Sequence, residues 1–237
     1  MMTLDTQQIA YRDEDARLNG FLAVDAARHD KRPGILVVHG GAGLDDHARG
    51  RARRFAQAGF VVFACDMYGE GITGRDAIVR HVMELRNNRD MLCRRAQPAI
   101  DILSRHPQVD GRIAAVGYCF GGMTVLELAR SGAALACTVS VHGSLETPRP
   151  AKPSAVQGKM LVCHGALDPH VPMTQVITFT EEMKHAGVDY QLIIYGRAMH
   201  GFTHETATGQ QAGVAYHALT DARSSAAISA FFGEIFE

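Results

Sequence analysis

Six short apolar runs, separated by amphipathic stretches, constrain the fold more than any other feature of this chain. They are GILVV (34–38), FVVFAC (60–65), RIAAVG (112–117), LACTVSV (135–141), KMLVC (159–163) and YQLIIY (190–195). Each has strand length, is rich in β-branched residues and is apolar on both faces. That is the pattern of a parallel strand covered by helices on both sides. The stretches between them read as helices. DDHARGRARRFAQAG has Asp45 and Asp46 near its start and Gly59 past its end, which are good cap residues. DAIVRHVMELRNNRDMLCRRAQPAIDILSRHP reads as one long helical region, with a break or kink predicted at Pro98. MTVLELARSG, MTQVITFTEEMKHAG and AYHALTDARSSAAISAFFGEIF complete the set. Strands alternating with helices predict an α/β fold with a mostly parallel, doubly wound sheet. QQIAYRDEDARLNGFLAV, ahead of the first run, predicts a polar-tipped hairpin, and the proline-rich SLETPRPAKPSAVQG predicts a surface loop. No repeat or long linker interrupts the pattern, so residues 1–237 are expected to form a single domain.

The charge balance narrows the function classes. Lys and Arg number 24 against 25 Asp and Glu, a net charge of -1, so nothing favours nucleic acid or an anionic membrane as a partner. No apolar run approaches the ~20 residues of a spanning helix. The opening MMTLDTQQIAYRDEDA lacks the basic and apolar regions of a signal peptide. Cys65, Cys93, Cys119, Cys137 and Cys163 are odd in number and lie mostly in apolar runs. This suggests reduced thiols in a cytoplasmic protein, four of them serving as small buried hydrophobes. The composition does not choose between a monomer and a homodimer.

In open α/β sheets ligands bind beyond the carboxyl ends of the strands, so the residues just after each apolar run matter most. They are HGGAGL, DMYGEG, YCFGG, HGS, HGALDP and GRAMHGF. Gly117-Tyr118-Cys119-Phe120-Gly121 fits a nucleophile elbow, a sharp strand-to-helix turn that holds its central residue out of the backbone. The start of the following helix favours a thiolate at Cys119. Taken alone, the same residues could be a tight turn around a buried thiol. The elbow architecture expects an acid and then a histidine downstream. Asp168 follows the fifth run and His200 the sixth. Each has an ordinary explanation, an Asx-turn and a surface histidine, but the ordered set Cys119, Asp168, His200 predicts a catalytic triad. An oxyanion hole would take one donor from the Phe120 backbone N–H and one from the loop after the first run, either Gly41 or Ala42. His39 reads as a strand-end support for that loop.

On GYCFGG, CDMYGEG, CHGALDPHVP and AMHGF, the chain resembles the dienelactone hydrolase family of α/β-hydrolases over nearly its whole length. The resemblance implies the α/β-hydrolase fold, a Cys119–His200–Asp168 triad, no cofactor, and hydrolysis of a small-molecule ester or enol-lactone. It also marks Gly40, Tyr68, Glu70 and His204 as substrate-pocket positions. The family's dienelactone enzymes carry an acidic residue where this chain has Gly40, and substrate-binding arginines at places matching Glu70 and His204. The resemblance therefore implies the same chemistry with an altered pocket.

The expected mechanism is acyl transfer through a thioacyl intermediate. A thioesterase or broad carboxylesterase would use the same residues. A metal hydrolase built from His39, Asp66, His142 and His164 lacks a compact ligand motif, and no metal is expected. In another class, the chain could be a non-catalytic ligand-binding scaffold or a thiol redox sensor acting through Cys119.

Overall fold

The computed structural model describes residues 3–70, 72 and 74–237. Met1 and Met2 of the opening stretch, Gly71 of DMYGEG and Thr73 lie outside them. The described residues form eight strands and six helices in two compact units that divide between Val116 and Gly117.

The first unit opens with the expected hairpin, β1 (Leu4–Asp13) and β2 (Ala16–Asp25), paired antiparallel from Leu4↔Asp25 to Asp13↔Ala16. Glu14, in the two-residue turn, has φ 51°, the sign that hairpin turns require. β3 (Arg32–Val38), β4 (Val61–Cys65) and β5 (Val109–Tyr118), whose last two residues belong to the second unit, follow, and the strand order is β1-β2-β4-β3-β5. β3 and β4 are parallel, from Gly34↔Val61 to Val38↔Cys65. Every residue of β4 is buried, as expected for a strand covered on both faces. Between β3 and β4 runs α1 (Asp46–Gln57), capped by the Asp45 side chain, which accepts from the Ala48 N–H at 3.0 Å.

The long helical region is two helices, α2 (Arg75–Asn87) and α3 (Arg89–Arg105), and the break falls at Asn88 rather than at Pro98. Asn88 leaves helical geometry (φ -121°, ψ 88°), and its side chain caps α3 by accepting from Met91 N–H. Pro98 sits inside α3 without ending it. The missing N–H removes one helical hydrogen bond, whereas Leu92, Ala96, Ala99, Ile100 and Leu103 bury a continuous face of the same helix. Their burial outweighs the lost bond.

The second unit holds α4 (Phe120–Arg130), β6 (Cys137–Val141), β7 (Lys159–Gly165), α5 (Met173–Ala186), β8 (Tyr190–Tyr195) and α6 (Ala218–Phe236). Its strands are parallel in the order β6-β7-β8. The core joins Leu126 of α4, Met160 and Val162 of β7, and Phe179 and Met183 of α5. β8 departs from the sequence reading, for Gln191 and Ile194 are exposed. It is the last strand in the order and pairs on one side only, with β7. The proline-rich loop carries no helix or strand but is firmly held. The buried Arg130 guanidinium donates to Leu145 O and to both Glu127 and Glu182, and Glu182 accepts from Ala151 N–H.

Candidate active site

The turn between β5 and α4 is a strained elbow. Cys119 has φ 54° and ψ -114°, a region that L-residues rarely occupy. A Cβ on Gly117 would run into the Gly121 carbonyl, and one on Gly122 would meet Gly143 Cα at 2.8 Å. The glycines therefore permit the turn, and the half-buried Cys119 side chain stands at its apex, as N-cap of α4. The Cys119 N–H donates both to Val141 O at 3.0 Å and to His142 Nδ1 at 3.1 Å.

His200 lies beyond β8 with its Nε2 3.0 Å from Cys119 Sγ and its Nδ1 2.8 Å from Asp168 Oδ2. Asp168 is buried beyond β7, and its other oxygen accepts from the backbone N–H of His170 and Val171 at 2.8 and 3.1 Å. Those three contacts fix the carboxylate's orientation. Burial disfavours the charged Asp168, but His200 and the two N–H donors outweigh it and lower its pKa. Burial likewise pushes His200 down. The hydrogen bonds to Asp168 and Cys119, with their negative charge, more than offset this and raise it to about 10. His164, buried at the end of β7, is held below its usual pKa mainly by burial.

The residues after His200 return along it as a strap. His200 N–H donates to Gly213 O at 3.0 Å, and Ala215 N–H donates to His200 O at 3.1 Å. Gly213 has φ 76°, and a Cβ there would run into the Pro169 ring, next to Asp168. His142, one residue past β6, is buried with φ 42°. Its Nε2 lies 2.8 Å from Thr203 Oγ1, and its ring meets Phe202 edge-on at 4.9 Å. The half-buried His204 has its ring 5.8 Å from that of His142.

In the first unit, buried His39 uses Nδ1 on Gly40 O (2.7 Å) and Nε2 on Met67 N–H (3.1 Å). Nδ1 therefore carries the hydrogen, and burial holds the ring neutral by lowering its pKa. The Tyr68 hydroxyl donates to Gly41 O at 3.0 Å, so it supports the loop that carries Gly40, Gly41 and Ala42. Gly40 is buried, Gly41 half-buried and Ala42 exposed. Glu70 is exposed and accepts from Asn19 Nδ2 at 3.3 Å. Asp66 is a turn residue, accepting from the N–H groups of Asn19, Tyr68 and Gly69. Among the described residues no group of three or more His, Cys, Asp or Glu is arranged to hold a metal ion.

The structure thus joins Cys119, His200 and Asp168 in one hydrogen-bonded line, with Phe120 opening the helix beside the sulfur. The sequence reading overlooked His142 as a partner of Cys119, and Thr203 and Gly213 entirely. The position of His142 after the fourth apolar run was a signal. Its two partners, on different loops, were not visible there.

The model of the dienelactone hydrolase family matches residues 18–236. A solved structure described as m3DLH is 39% identical, with TM-score 0.94 and 99% of both chains covered. A dienelactone hydrolase-like promiscuous phosphotriesterase from metagenomic libraries is 37% identical, with TM-score 0.92 and the same coverage. An uncharacterized protein of Caenorhabditis elegans is 35% identical over 147 residues, 60% of this chain and 92% of its own. The fold is the α/β-hydrolase fold. With a family match spanning nearly its whole length, the chain belongs to the dienelactone hydrolase family and is a hydrolase of ester or lactone bonds.

Proposed function

We propose that the protein hydrolyses small-molecule esters or lactones through Cys119 as nucleophile, His200 as acid and base, and Asp168 as the group orienting His200. The observation that carries this reading is the placement of the His200 ring, 3.0 Å from the sulfur and 2.8 Å from the carboxylate. The raised pKa of His200 supports a resting thiolate–imidazolium pair. The thiolate attacks the carbonyl carbon, forming the S–C bond and an oxyanion. The Phe120 N–H is one oxyanion donor, and the second is assigned to Gly41 or Ala42. The oxyanion collapses, the C–O bond breaks, and Nε2–H protonates the leaving oxygen. Acylation removes the negative sulfur, one cause of the raised pKa. The neutral ring is then a base that takes a proton from water as its oxygen attacks the thioacyl carbon, and the S–C bond breaks.

The family resemblance supports Gly40, Tyr68, Glu70 and His204 as candidate substrate-contacting residues. The whole chain is taken to work as one domain, which the span of the family match supports. A cytoplasmic setting, a monomer or homodimer, and no nucleic-acid partner belong to the same reading. A second reaction, hydrolysis of neutral phosphotriesters by the same thiol, is favoured by the 37% identity to the promiscuous phosphotriesterase.

A panel of activated esters, thioesters, lactones and a neutral phosphotriester, run on the native protein and on Cys119→Ala, tests the reading. Turnover of an oxygen ester or lactone is expected only with the native protein, with the acyl group found on Cys119 by mass spectrometry after rapid quench. Thioesters alone being cleaved would mean a thioesterase. A native protein inert to the whole panel, yet readily oxidised at Cys119, would favour the thiol sensor.

A further inference from the structure

One buried side chain that the proposed mechanism does not use touches both of the segments it depends on. Nδ1 of His142 accepts from the Cys119 N–H at 3.1 Å and so carries no hydrogen. The neutral ring's hydrogen is then on Nε2, which donates to Thr203 Oγ1 at 2.8 Å. Thr203 stands three residues beyond His200 in the same loop. The backbone is pinned as well, since His142 N–H donates to Cys163 O at 2.8 Å. His142 is 1% exposed. The rings of Tyr118, His200, Phe202 and His204 surround it at 4.9–6.1 Å.

Any buried histidine must satisfy both ring nitrogens, but one serving only to fill the core would have no need to find its partners on these two particular segments. It would also not need a left-handed backbone, which a non-glycine residue keeps only where its surroundings over-determine it. Here the strained φ of 42° at His142 faces the strained φ of 54° at Cys119, and a hydrogen bond joins the two residues. One ring nitrogen holds the peptide that presents the sulfur, and the other holds the loop that presents the imidazole.

We propose that His142 is a positioning residue that sets the register between Cys119 and His200. This rests on the reading of those two residues as nucleophile and acid–base. If His142 is removed, the Cys119 N–H keeps its bond to Val141 O, but the elbow loses its tie to the His200 loop, and that tie no longer helps to hold the 3.0 Å contact between Nε2 and Sγ. The loss falls on the chemical step rather than on substrate binding.

Three variants test this. His142→Ala removes both links. His142→Asn keeps an oxygen acceptor where Nδ1 lies, and asparagine tolerates a positive φ, but it loses the link to Thr203. Thr203→Val removes that second link at nearly constant volume. kcat and KM are measured on a neutral activated ester, and the rate of Cys119 alkylation by iodoacetamide is followed against pH, with thermal melts as the folding control. His142→Ala and Thr203→Val are expected to lower kcat by about tenfold or more while KM stays within about threefold. Both should move the alkylation midpoint up by about one pH unit or more, toward that of an ordinary thiol. His142→Asn should recover part of the loss seen in His142→Ala.

Native kcat and a native alkylation profile in folded His142→Ala overturn the proposal, as does a loss confined to KM. An asparagine variant no better than the alanine variant overturns the link to Cys119. If His142→Ala does not fold, Thr203→Val decides, and native behaviour there overturns the proposal. Cys119→Ala separates the two levels: if it keeps turnover, the reading of the nucleophile fails. The alkylation profile still reports whether His142 holds Cys119 against His200.

Discussion

The five cysteines are alike in sequence and unlike in chemistry. Burial pushes the thiols of Cys137 and Cys163 up to about 12, and that of Cys65 is pushed up as well. Cys119 is half-buried, with the ring of His200 at 3.0 Å from its sulfur. Iodoacetamide at neutral pH should therefore label Cys119 much faster than Cys65, Cys137 and Cys163, and the label should abolish hydrolysis. Peptide mapping after brief exposure checks this, and equal labelling of the four would contradict it. The His200 titration has a consequence for stability. Its folded pKa, about 10, lies above the unfolded value of about 6.5, so the folded state binds the proton more tightly. The stabilisation is fully present below about pH 6.5 and is lost as pH rises through about 10. The Tm of the native protein should fall more between pH 6.5 and pH 10.5 than that of His200→Gln. Equal falls would show that the ring is not held protonated.

Among the elements, the strap at residues 205–217 is the one on which His200 depends most directly. It takes both backbone hydrogen bonds of His200. Two of its glycines have left-handed φ, Gly209 at 82° and Gly213 at 76°, and an alanine at either is strained by ~1–2 kcal/mol. They differ in surroundings. A methyl on Gly213 meets the Pro169 ring, whereas one on Gly209 has nothing within 4 Å. Gly213→Ala should therefore displace the strap, and with it His200 relative to Asp168, lowering kcat by about tenfold to a hundredfold. Gly209→Ala should cost only its strain and leave kcat close to native. Steady-state kinetics with melting curves on both variants separate the two effects, and equal kcat in both would show that the strap does not position His200.

For the molecule as a catalyst, the proposed function implies a preference in the charge of its substrate. An arginine grips a carboxylate with two parallel hydrogen bonds. The proposed function puts Glu70 and His204 at positions where the family's dienelactone enzymes carry arginines; a carboxylate cannot donate such a bond, and an imidazole lacks the planar fork. A missing charge-assisted hydrogen bond costs about 1.5–3 kcal/mol, roughly one to two decades in binding. Neutral esters or lactones should therefore be turned over with higher kcat/KM than matched substrates bearing a carboxylate. A side-by-side comparison of a neutral lactone and its carboxylated analogue measures this, and a preference for the anion would contradict the pocket assignment.

Much of the fold and of the candidate site was legible in the chain. Hairpin, strands and most helices follow from hydrophobic periodicity and cap residues, which act over a few positions. The order Cys119, Asp168, His200 was legible because each residue ends a strand or follows one, and parallel strands bring such ends to one side. Long-range packing decided the rest. Asn88 rather than Pro98 divides the helical region, because burial along α3 outweighs one missing hydrogen bond. Gln191 and Ile194 of β8 are exposed because only one neighbour pairs with that strand. The Tyr68 hydroxyl is engaged by Gly41 O, 27 residues earlier in the chain. His142 joins Cys119 to Thr203, 23 residues back and 61 residues on. No local pattern encodes such partners, because a side chain's hydrogen bonds depend on which distant segments the folded backbone brings within about 3 Å.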